Sequence, residues 1–298
     1  MKNFSGKVAV ITGAGSGLGR EFADTAASLG MKLVLADIQA DALEKTTDAL
    51  LAQGVEVLAM VCDVSKAAHV EELADAAVAR FHGIHLVFNN AGVGSGGLIW
   101  ENSAEDWEWV LGVNLWGVIH GVRVFTRAML ECAKKDPSFE GHIVNTASMA
   151  GLLNAPAMGV YNVSKHAVVS LSETLYHDLQ LVNAPIGASV LCPYFVPTGI
   201  SHSHRNRPEE LKAEGGPTNS QIAAQALTVK AVESGKVSAR DVSRMTFDAI
   251  RDGQFYIFSH PHALGGVTER MEAIVGAKNP PDPYAATPHV REILRGKL

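Results

Sequence analysis

Short apolar runs alternate along this chain with longer segments in which apolar residues recur at helical spacing. The runs are rich in Val, Leu and Ile without polar alternation, which is typical of strands buried on both faces of a parallel sheet. They predict strands at residues 8–11, 32–36, 55–61, 84–88, 142–145 and 186–191. The periodic segments between them predict helices at residues 20–29, 41–53, 67–81, 104–132 and 160–182.

This alternation predicts a single α/β domain with a doubly wound parallel sheet and helices on both faces. We expect the domain to span residues 1–258, with an insertion over the substrate at about 199–236. The polar, glycine-containing stretch 201–218 favours a mobile loop with a short helix. Further helices are predicted at 220–233 and 239–251, and a last strand at 255–258.

The chain after residue 258 differs in texture from the domain before it. Four prolines interrupt it between residues 280 and 288. Because proline cannot continue a helix or donate a sheet hydrogen bond, we expect the extension 259–298 to be mostly irregular.

Composition allows a large core and argues against several classes of partner. Of the 298 residues, 47% are hydrophobic and 19% are charged, and the net charge is −6. A negative chain has no general attraction to nucleic-acid backbones or anionic lipid. No apolar stretch predicts a signal peptide or a spanning helix. Cys62, Cys132 and Cys192 form no C-x-x-C pair, so we interpret them as small buried hydrophobes in a cytoplasmic protein.

A glycine-rich turn, T-G-A-G-S-G-L-G at residues 12–19, joins the first predicted strand to the first helix. Its glycines allow close approach to a pyrophosphate, and the helix N-terminus offers free N–H donors and partial positive charge. A tight strand–helix connection could explain the glycines alone. Their position after the first strand favours dinucleotide binding in a Rossmann-type fold.

Asp37 ends the second predicted strand and favours NAD over NADP. Its carboxylate can accept hydrogen bonds from the adenosine ribose and would repel a 2′-phosphate. Ile38 follows, where an Arg or Lys could have bound that phosphate. Asp37 could also cap the next helix, and one residue can do both.

Motifs spread over two thirds of the chain resemble those of the short-chain dehydrogenase/reductase family. The opening turn fits the family pattern TGxxxGxG at Gly13, Gly17 and Gly19. The other matches, in chain order, are Asp63-Val64, Asn89-Asn90-Ala91-Gly92, Asn114, Ser148, Tyr161 and Lys165. The resemblance covers residues 1 to about 200 closely and reaches 258 in overall design.

This resemblance implies a catalytic set of Asn114, Ser148, Tyr161 and Lys165. Tyr161 would act as acid and base, Ser148 would hold the substrate oxygen, and Asn114 would hold a water in a proton relay through Lys165. Tyr161 and Lys165 share one face of a predicted helix. The ammonium and an oxidised nicotinamide ring should lower the pKa of the phenol from about 10. A Tyr-x-x-x-Lys motif found alone would be read as a surface pair. The prediction therefore depends on its occurrence together with the glycine turn and the other motifs in family order.

The resemblance also implies the cofactor contacts. After the sixth strand, the main chain of Val196 and the Thr198 hydroxyl would contact the nicotinamide carboxamide. The predicted set is Gly13, Ser16, Gly17, Leu18, Gly19, Asp37, Asp63, Val64, Asn90, Ala91, Gly92, Tyr161, Lys165, Pro193, Val196 and Thr198.

Tyr194 stands where the family usually has glycine, which puts a bulky ring with a polar tip near the nicotinamide. We predict a substrate pocket of Ser148, Leu152, Tyr161 and Tyr194. Its apolar character suits a small secondary alcohol or the corresponding ketone, or else an aldehyde. Arg205 and Arg207 are interpreted as solvated surface residues.

Other features of the sequence point to no further chemistry. The pairs His202/His204 and His260/His262 lack the companion ligands of a metal site, so none is expected. By analogy with relatives we expect a homodimer or homotetramer. Three alternatives stay open: an inactive or regulatory dinucleotide-binding relative, a relative that uses NADP, and an enzyme of epimerisation or dehydration.

Overall fold

The computed structural model describes residues 1–212 and 215–297, and its centre is a seven-stranded parallel sheet. The strands are β1 Val8–Thr12, β2 Lys32–Asp37, β3 Val57–Val61, β4 Leu86–Asn89, β5 Gly141–Thr146, β6 Ile186–Cys192 and β7 Tyr256–Phe258. Their order in the sheet is β3-β2-β1-β4-β5-β6-β7. The order runs outward in one direction from β1 to β3 and in the other from β4 to β7. This reversal confirms the doubly wound sheet.

Helices cover both faces of the sheet, and alternate strand residues point into the two layers. The helices are α1 Gly17–Ser28, α2 Ala40–Leu51, α3 Ala67–Phe81, α4 Ala104–Leu111, α5 Gly117–Lys135, α6 Gly159–Leu181, α7 Asn219–Glu233, α8 Ala239–Asp252, α9 Leu264–Val275 and α10 Pro288–Arg295. In β1, Ala9 and Ile11 pack with α1, α2 and α8, whereas Val8 and Val10 pack with α3, α5 and α6. No helix among the described residues is long and apolar enough to cross a membrane.

Two predicted elements differ in character from the expectation. The helical segment 104–132 is divided into α4 and α5 by a π-helical turn, Gly112–Trp116. Strand β3 is the edge of the sheet rather than buried on both faces, and Val61 is 60% exposed. An edge strand has a neighbour on one side only, so hydrophobic composition did not reveal its position.

The expectation of a mostly irregular extension after residue 258 is wrong, because α9 and α10 form there. Leu264 and Val267 of α9 join an apolar cluster beside the sheet. Pro288 occupies the first turn of α10, where a missing N–H group costs nothing. The prolines therefore separate helices instead of preventing them.

The stretch predicted as a mobile loop contains two short 3₁₀ helices, Gly199–Asn206 and Glu209–Leu211. We call residues 199–212 the covering segment, because it follows β6 and lies beside the carboxyl edge of the sheet. Residues 213 and 214 of the predicted loop lie outside the described residues.

Candidate active site

A single cleft at the carboxyl ends of the strands gathers most of the predicted site residues. It has a volume of about 1260 Å³ including its open mouth. The predicted residues in its lining are Gly13, Ser16, Gly17, Leu18, Asp37, Asp63, Val64, Asn90, Ala91, Gly92, Ser148, Tyr161, Lys165, Pro193, Tyr194, Val196 and Thr198.

The glycine turn leaves a backbone cradle at one end of this cleft. A Cβ atom at Gly19 would overlap the carbonyl oxygen of Gly13, so Gly19 itself permits the turn without lining the cleft. Gly13 has a left-handed φ of 68°, and a Cβ there would lie 2.9 Å from the Cα of Ala91. The cradle fits a pyrophosphate because α1 begins at Gly17 and directs its free N–H groups to this point.

Two carboxylates shape the part of the cleft predicted to hold adenosine. Asp37 accepts hydrogen bonds from the N–H groups of Gly15, at 2.8 Å, and Gln39, at 2.9 Å. The N-cap of α2 is Gln39, so Asp37 orients the glycine turn instead of capping that helix. Asp63 accepts from the main-chain N–H and the hydroxyl of Ser65, which holds the turn after β3.

Thr12 joins the glycine turn to the chain after β4, a role that the sequence analysis missed. Its hydroxyl accepts from the N–H groups of Asn90, at 2.9 Å, and Ala91, at 3.1 Å. Asn90 Nδ2 in turn donates to the Thr12 carbonyl at 2.9 Å. The threonine of the TGxxxGxG pattern was the available signal for this contact.

Lys165 lies on α6 at the bottom of the cleft and is only 2% exposed. Its Nζ donates to the carbonyl oxygen of Thr146 at 2.9 Å. Burial lowers the pKa of Lys165 to about 8. The ammonium is thus held by a main-chain acceptor at the end of β5, which the sequence did not indicate.

Tyr161 shares a face of α6 with Lys165, whose Nζ lies 5.7 Å from the centre of the phenol ring. Burial raises the pKa of Tyr161, and the neighbouring Ser148 side chain acts in the opposite direction. The predicted lowering of this pKa is therefore wrong for the protein alone, because burial disfavours the charged phenolate more than the Ser148 contact favours it.

Asn114 is fully buried in the π-helical turn and lies outside the cleft lining. Its Oδ1 accepts from Val93 N–H at 2.8 Å, and its Nδ2 donates to Val93 O and the Ser164 hydroxyl. The side-chain amide therefore attaches the π-helical turn to the chain after β4 and to α6. A Cβ at Gly92 would lie within 3.6 Å of both Asn114 and Lys165, so these residues are close neighbours.

The substrate end of the cleft combines apolar walls with the covering segment. Tyr194 is 40% exposed, lines the cleft, and donates its N–H to the Ser259 hydroxyl at 3.1 Å. Leu152, predicted for this pocket, instead joins the cluster beneath α9. The walls that the sequence analysis missed are Val93, Trp109, Val113, Ile200, Ser203 and Asn206, while Arg205 extends toward Gln39 beside the adenosine part.

The two arginines of the covering segment differ from each other. Arg205 is exposed, as expected, although it also borders the cleft and donates to Gln39 Oε1 at 3.3 Å and to two carbonyl oxygens of its own segment. Arg207 is not the solvated residue that was expected, because it forms a buried ion pair with Asp106. Residues far apart in sequence supply these partners, so the local pattern could not reveal them.

Within residues 1–212 and 215–297, no group of three or more His, Cys, Asp or Glu side chains could hold a metal ion.

Residues 7–209 match the protein family described as short chain dehydrogenase. A crystal structure of a short-chain dehydrogenase/reductase from Burkholderia phymatum in complex with NAD is 57% identical, with a TM-score of 0.92. The match covers 95% of this chain and 99% of that one.

Two relatives of known activity class also match most of the chain. A CLA biosynthesis dehydrogenase/reductase of Lactiplantibacillus plantarum is 35% identical over 278 residues, 92% of this chain and 95% of the relative. A 1-deoxy-11-beta-hydroxypentalenate dehydrogenase of Streptomyces avermitilis is 33% identical over 257 residues, covering 86% and 85% of the two chains.

Proposed function

The chain belongs to the short-chain dehydrogenase/reductase family, and on that premise we propose that it is an NAD-dependent oxidoreductase. It would interconvert a secondary alcohol and the corresponding ketone on an apolar small molecule. One observation carries this proposal: Ser148, Tyr161, Lys165 and the glycine cradle line the same cleft. When bound, the nicotinamide ring accepts or donates the hydride.

The residues at the adenosine end favour NAD over NADP. The Asp37 carboxylate faces the cleft beside Ile38, so a 2′-phosphate would meet a negative charge. Arg205 reaches the neighbouring Gln39, but its guanidinium is already bonded to three acceptor oxygens. The NAD complex of the Burkholderia phymatum relative supports the same choice. Fluorescence titrations with NADH and NADPH measure this preference directly.

Tyr161 moves the proton in the proposed reaction. In alcohol oxidation the Tyr161 phenolate takes the hydroxyl proton while a hydride leaves the carbon atom that bears the hydroxyl group. In reduction the Tyr161 phenol gives a proton to the carbonyl oxygen. Ser148 donates to the substrate oxygen and stabilises developing negative charge. The Ser148 hydroxyl is available for this role because its bond to the Pro193 carbonyl is long, at 3.3 Å.

Lys165 and Asn114 would form a proton relay between the Tyr161 phenol and the solvent. Lys165 Nζ has donors left after its bond to Thr146 and offers them to the nicotinamide ribose. Asn114 contributes its main-chain carbonyl to the proton relay, because its side-chain amide is already bonded to Val93 and Ser164.

The wall composition supports an apolar substrate. Val93, Trp109, Val113 and Ile200 line the cleft together with the ring of Tyr194. The dehydrogenase named for 1-deoxy-11-beta-hydroxypentalenate shows that a relative in this family acts on a hydroxylated small molecule. We therefore place the substrate among secondary alcohols or ketones with a hydrocarbon body.

Replacement of Tyr161 by Phe tests the function. General acid–base catalysis contributes roughly 10²–10⁴-fold, so turnover should fall by about that factor. The NADH dissociation constant should stay within about twofold, because the cradle is unchanged. Turnover is followed by NADH absorbance on a panel of secondary alcohols and ketones, with NADP in parallel.

The same assay distinguishes the proposed enzyme from an inactive or regulatory relative. A regulatory relative would bind NADH but turn over no substrate even as the wild type. Equal turnover by wild type and Y161F would refute the proposed acid and base.

We also propose that the protein is a cytoplasmic homodimer or homotetramer. Trp116 of the π-helical turn is 52% exposed and Val163 of the contacting α6 is 44% exposed, which suits a subunit interface. The three cysteines are free, as a reducing compartment would keep them. Light scattering coupled to gel filtration measures the oligomeric state.

A further inference from the structure

The side chain of Arg207 extends from the covering segment into a buried position at the start of α4. Its Nη1 lies 2.5 Å from Asp106 Oδ1, and its Nε donates to the carbonyl oxygen of Leu211 at 2.6 Å. Only 15% of the Arg207 side chain and 6% of the Asp106 side chain are exposed. A charge pair shielded from water to this degree holds its geometry far more strictly than a surface pair.

The second oxygen of Asp106 binds two further parts of the molecule. Its Oδ2 accepts from Gln221 Nε2 at 2.9 Å and from the Ser103 N–H at 2.9 Å. Gln221 belongs to the first turn of α7, and Ser103 is the N-cap of α4. One carboxylate therefore joins the covering segment, α7 and α4.

Glu101 makes a second attachment between the same elements. Its Oε2 accepts from the hydroxyl groups of Thr218, at 2.8 Å, and Ser220, at 2.5 Å. Both residues begin α7. Glu101, before α4, and Asp106, within α4, thus both bind the first turn of α7. Of these two residues, Asp106 also binds the covering segment, through Arg207.

The ion pair is connected to the substrate end of the cleft through Trp109. The guanidinium carbon of Arg207 lies 5.2 Å from the centre of the Trp109 ring, and Trp109 lines the cleft. Leu211 packs on the apolar cluster that contains Trp109 and Val160, and Val160 precedes Tyr161. Asn206, next to Arg207, lines the cleft as well.

We propose that Asp106 and Arg207 form a clamp that sets the position of the covering segment and of Trp109 at the substrate end. The two are positioning residues, since neither lines the cleft, and the clamp determines how tightly a substrate is enclosed. The inference rests on the proposed oxidoreductase function for its kinetic part alone. A hydrophobic pair could stabilise the fold equally well, but it would not fix one orientation of the segment and the ring.

Three variants test the clamp: Asp106→Asn, Arg207→Gln and the double variant. We expect the substrate KM to rise about tenfold or more in each single variant, with a smaller change in kcat and an NADH dissociation constant within about twofold. The double variant should resemble either single variant, because both remove the same contact. It also keeps the test valid if a single variant leaves one buried charge unpaired and fails to fold. Arg207→Lys should recover part of the KM, because it restores the cation without the planar fork.

Limited trypsin digestion gives a readout that needs no turnover. Cleavage after the exposed Lys212 should be several-fold faster in Asp106→Asn than in the wild type, with NADH present in both. The control is Arg244→Gln, which removes an exposed pair with Asp241 on α8 and should change neither cleavage nor KM.

Unchanged KM and unchanged cleavage in Asp106→Asn would overturn the clamp. A variant in which NADH affinity, substrate affinity and thermal stability all decreased to a similar extent would also overturn the clamp, because such a result would reveal a general structural role. If no substrate turned over in the wild type, the proposed function would fail while faster cleavage after Lys212 would still support the clamp.

Discussion

The two ends of the cleft are built by different means. At the cofactor end the walls are mostly main chain: Gly13 and Gly17 of the glycine turn and the N–H groups of α1, together with one carboxylate that two main-chain donors hold. At the substrate end the walls are side chains from distant segments, and the pair of Asp106 and Arg207 joins positions 101 residues apart in sequence.

This difference explains why one end follows a recognisable pattern and the other does not. A backbone cradle needs glycine wherever a Cβ would collide, so its chemistry is written in neighbouring residues. Side chains that meet across the fold can be exchanged in pairs, so the substrate end can vary while the cofactor end stays the same. Substrate choice should therefore depend on residues outside the family motifs.

The largest effect should come from a single methyl group at the cofactor end. In Gly19→Ala the new Cβ would overlap the Gly13 carbonyl, which is main chain and cannot move aside cheaply. We expect loss of measurable NADH binding and a decrease of roughly 3 kcal/mol in the free energy of unfolding. Fluorescence titration and urea unfolding measure the two quantities.

A matched control is Gly265→Ala in α9, where a Cβ would meet no atom within 4 Å. It should leave NADH binding intact and alter stability by less than about 1 kcal/mol. Normal NADH affinity in Gly19→Ala would mean that the cofactor end tolerates side chains and that the contrast between the two ends is false.

A smaller and more selective effect is expected at the substrate end. Tyr194→Gly removes a ring that lines the cleft, so the ratio of kcat/KM between a bulky and a small alcohol should change by about tenfold or more. NADH affinity should stay within about twofold. An unchanged ratio across the substrate panel would remove Tyr194 from the substrate pocket.

The smallest expected effect is that of half a pH unit, roughly a threefold change in the rate of alcohol oxidation. Burial raises the pKa of Tyr161, so the phenolate needed for alcohol oxidation becomes more abundant as pH rises toward that value. We expect kcat/KM for oxidation to increase between about pH 6 and 8 and to flatten above about 8, where Lys165 loses its charge. Carbonyl reduction should stay nearly constant below about pH 8, because a phenol with a raised pKa keeps its proton there, and should fall only at higher pH. A rate of oxidation that falls over the same interval would contradict Tyr161 as the base.

The elements of the fold were predictable because the core is regular. Runs such as the one that forms β1 are apolar at every position, and the helices between them repeat at helical spacing. The same reasoning failed for α9 and α10, because prolines were treated as breaking helices when Pro288 starts one. It failed again for Leu152, since nothing local shows that α9 contributes to the cluster around it.

The sequence by itself determined the class of fold and the cradle, because each depends on residues that are close along the chain, and its resemblance to a family supplied the candidate reacting groups. Only the tertiary structure decided which residues surround a substrate, how burial shifts the pKa values of Tyr161 and Lys165, and that Arg207 is paired inside the protein. Desolvation and long-range contacts depend on what the folded chain places next to a group, and no local pattern carries that information.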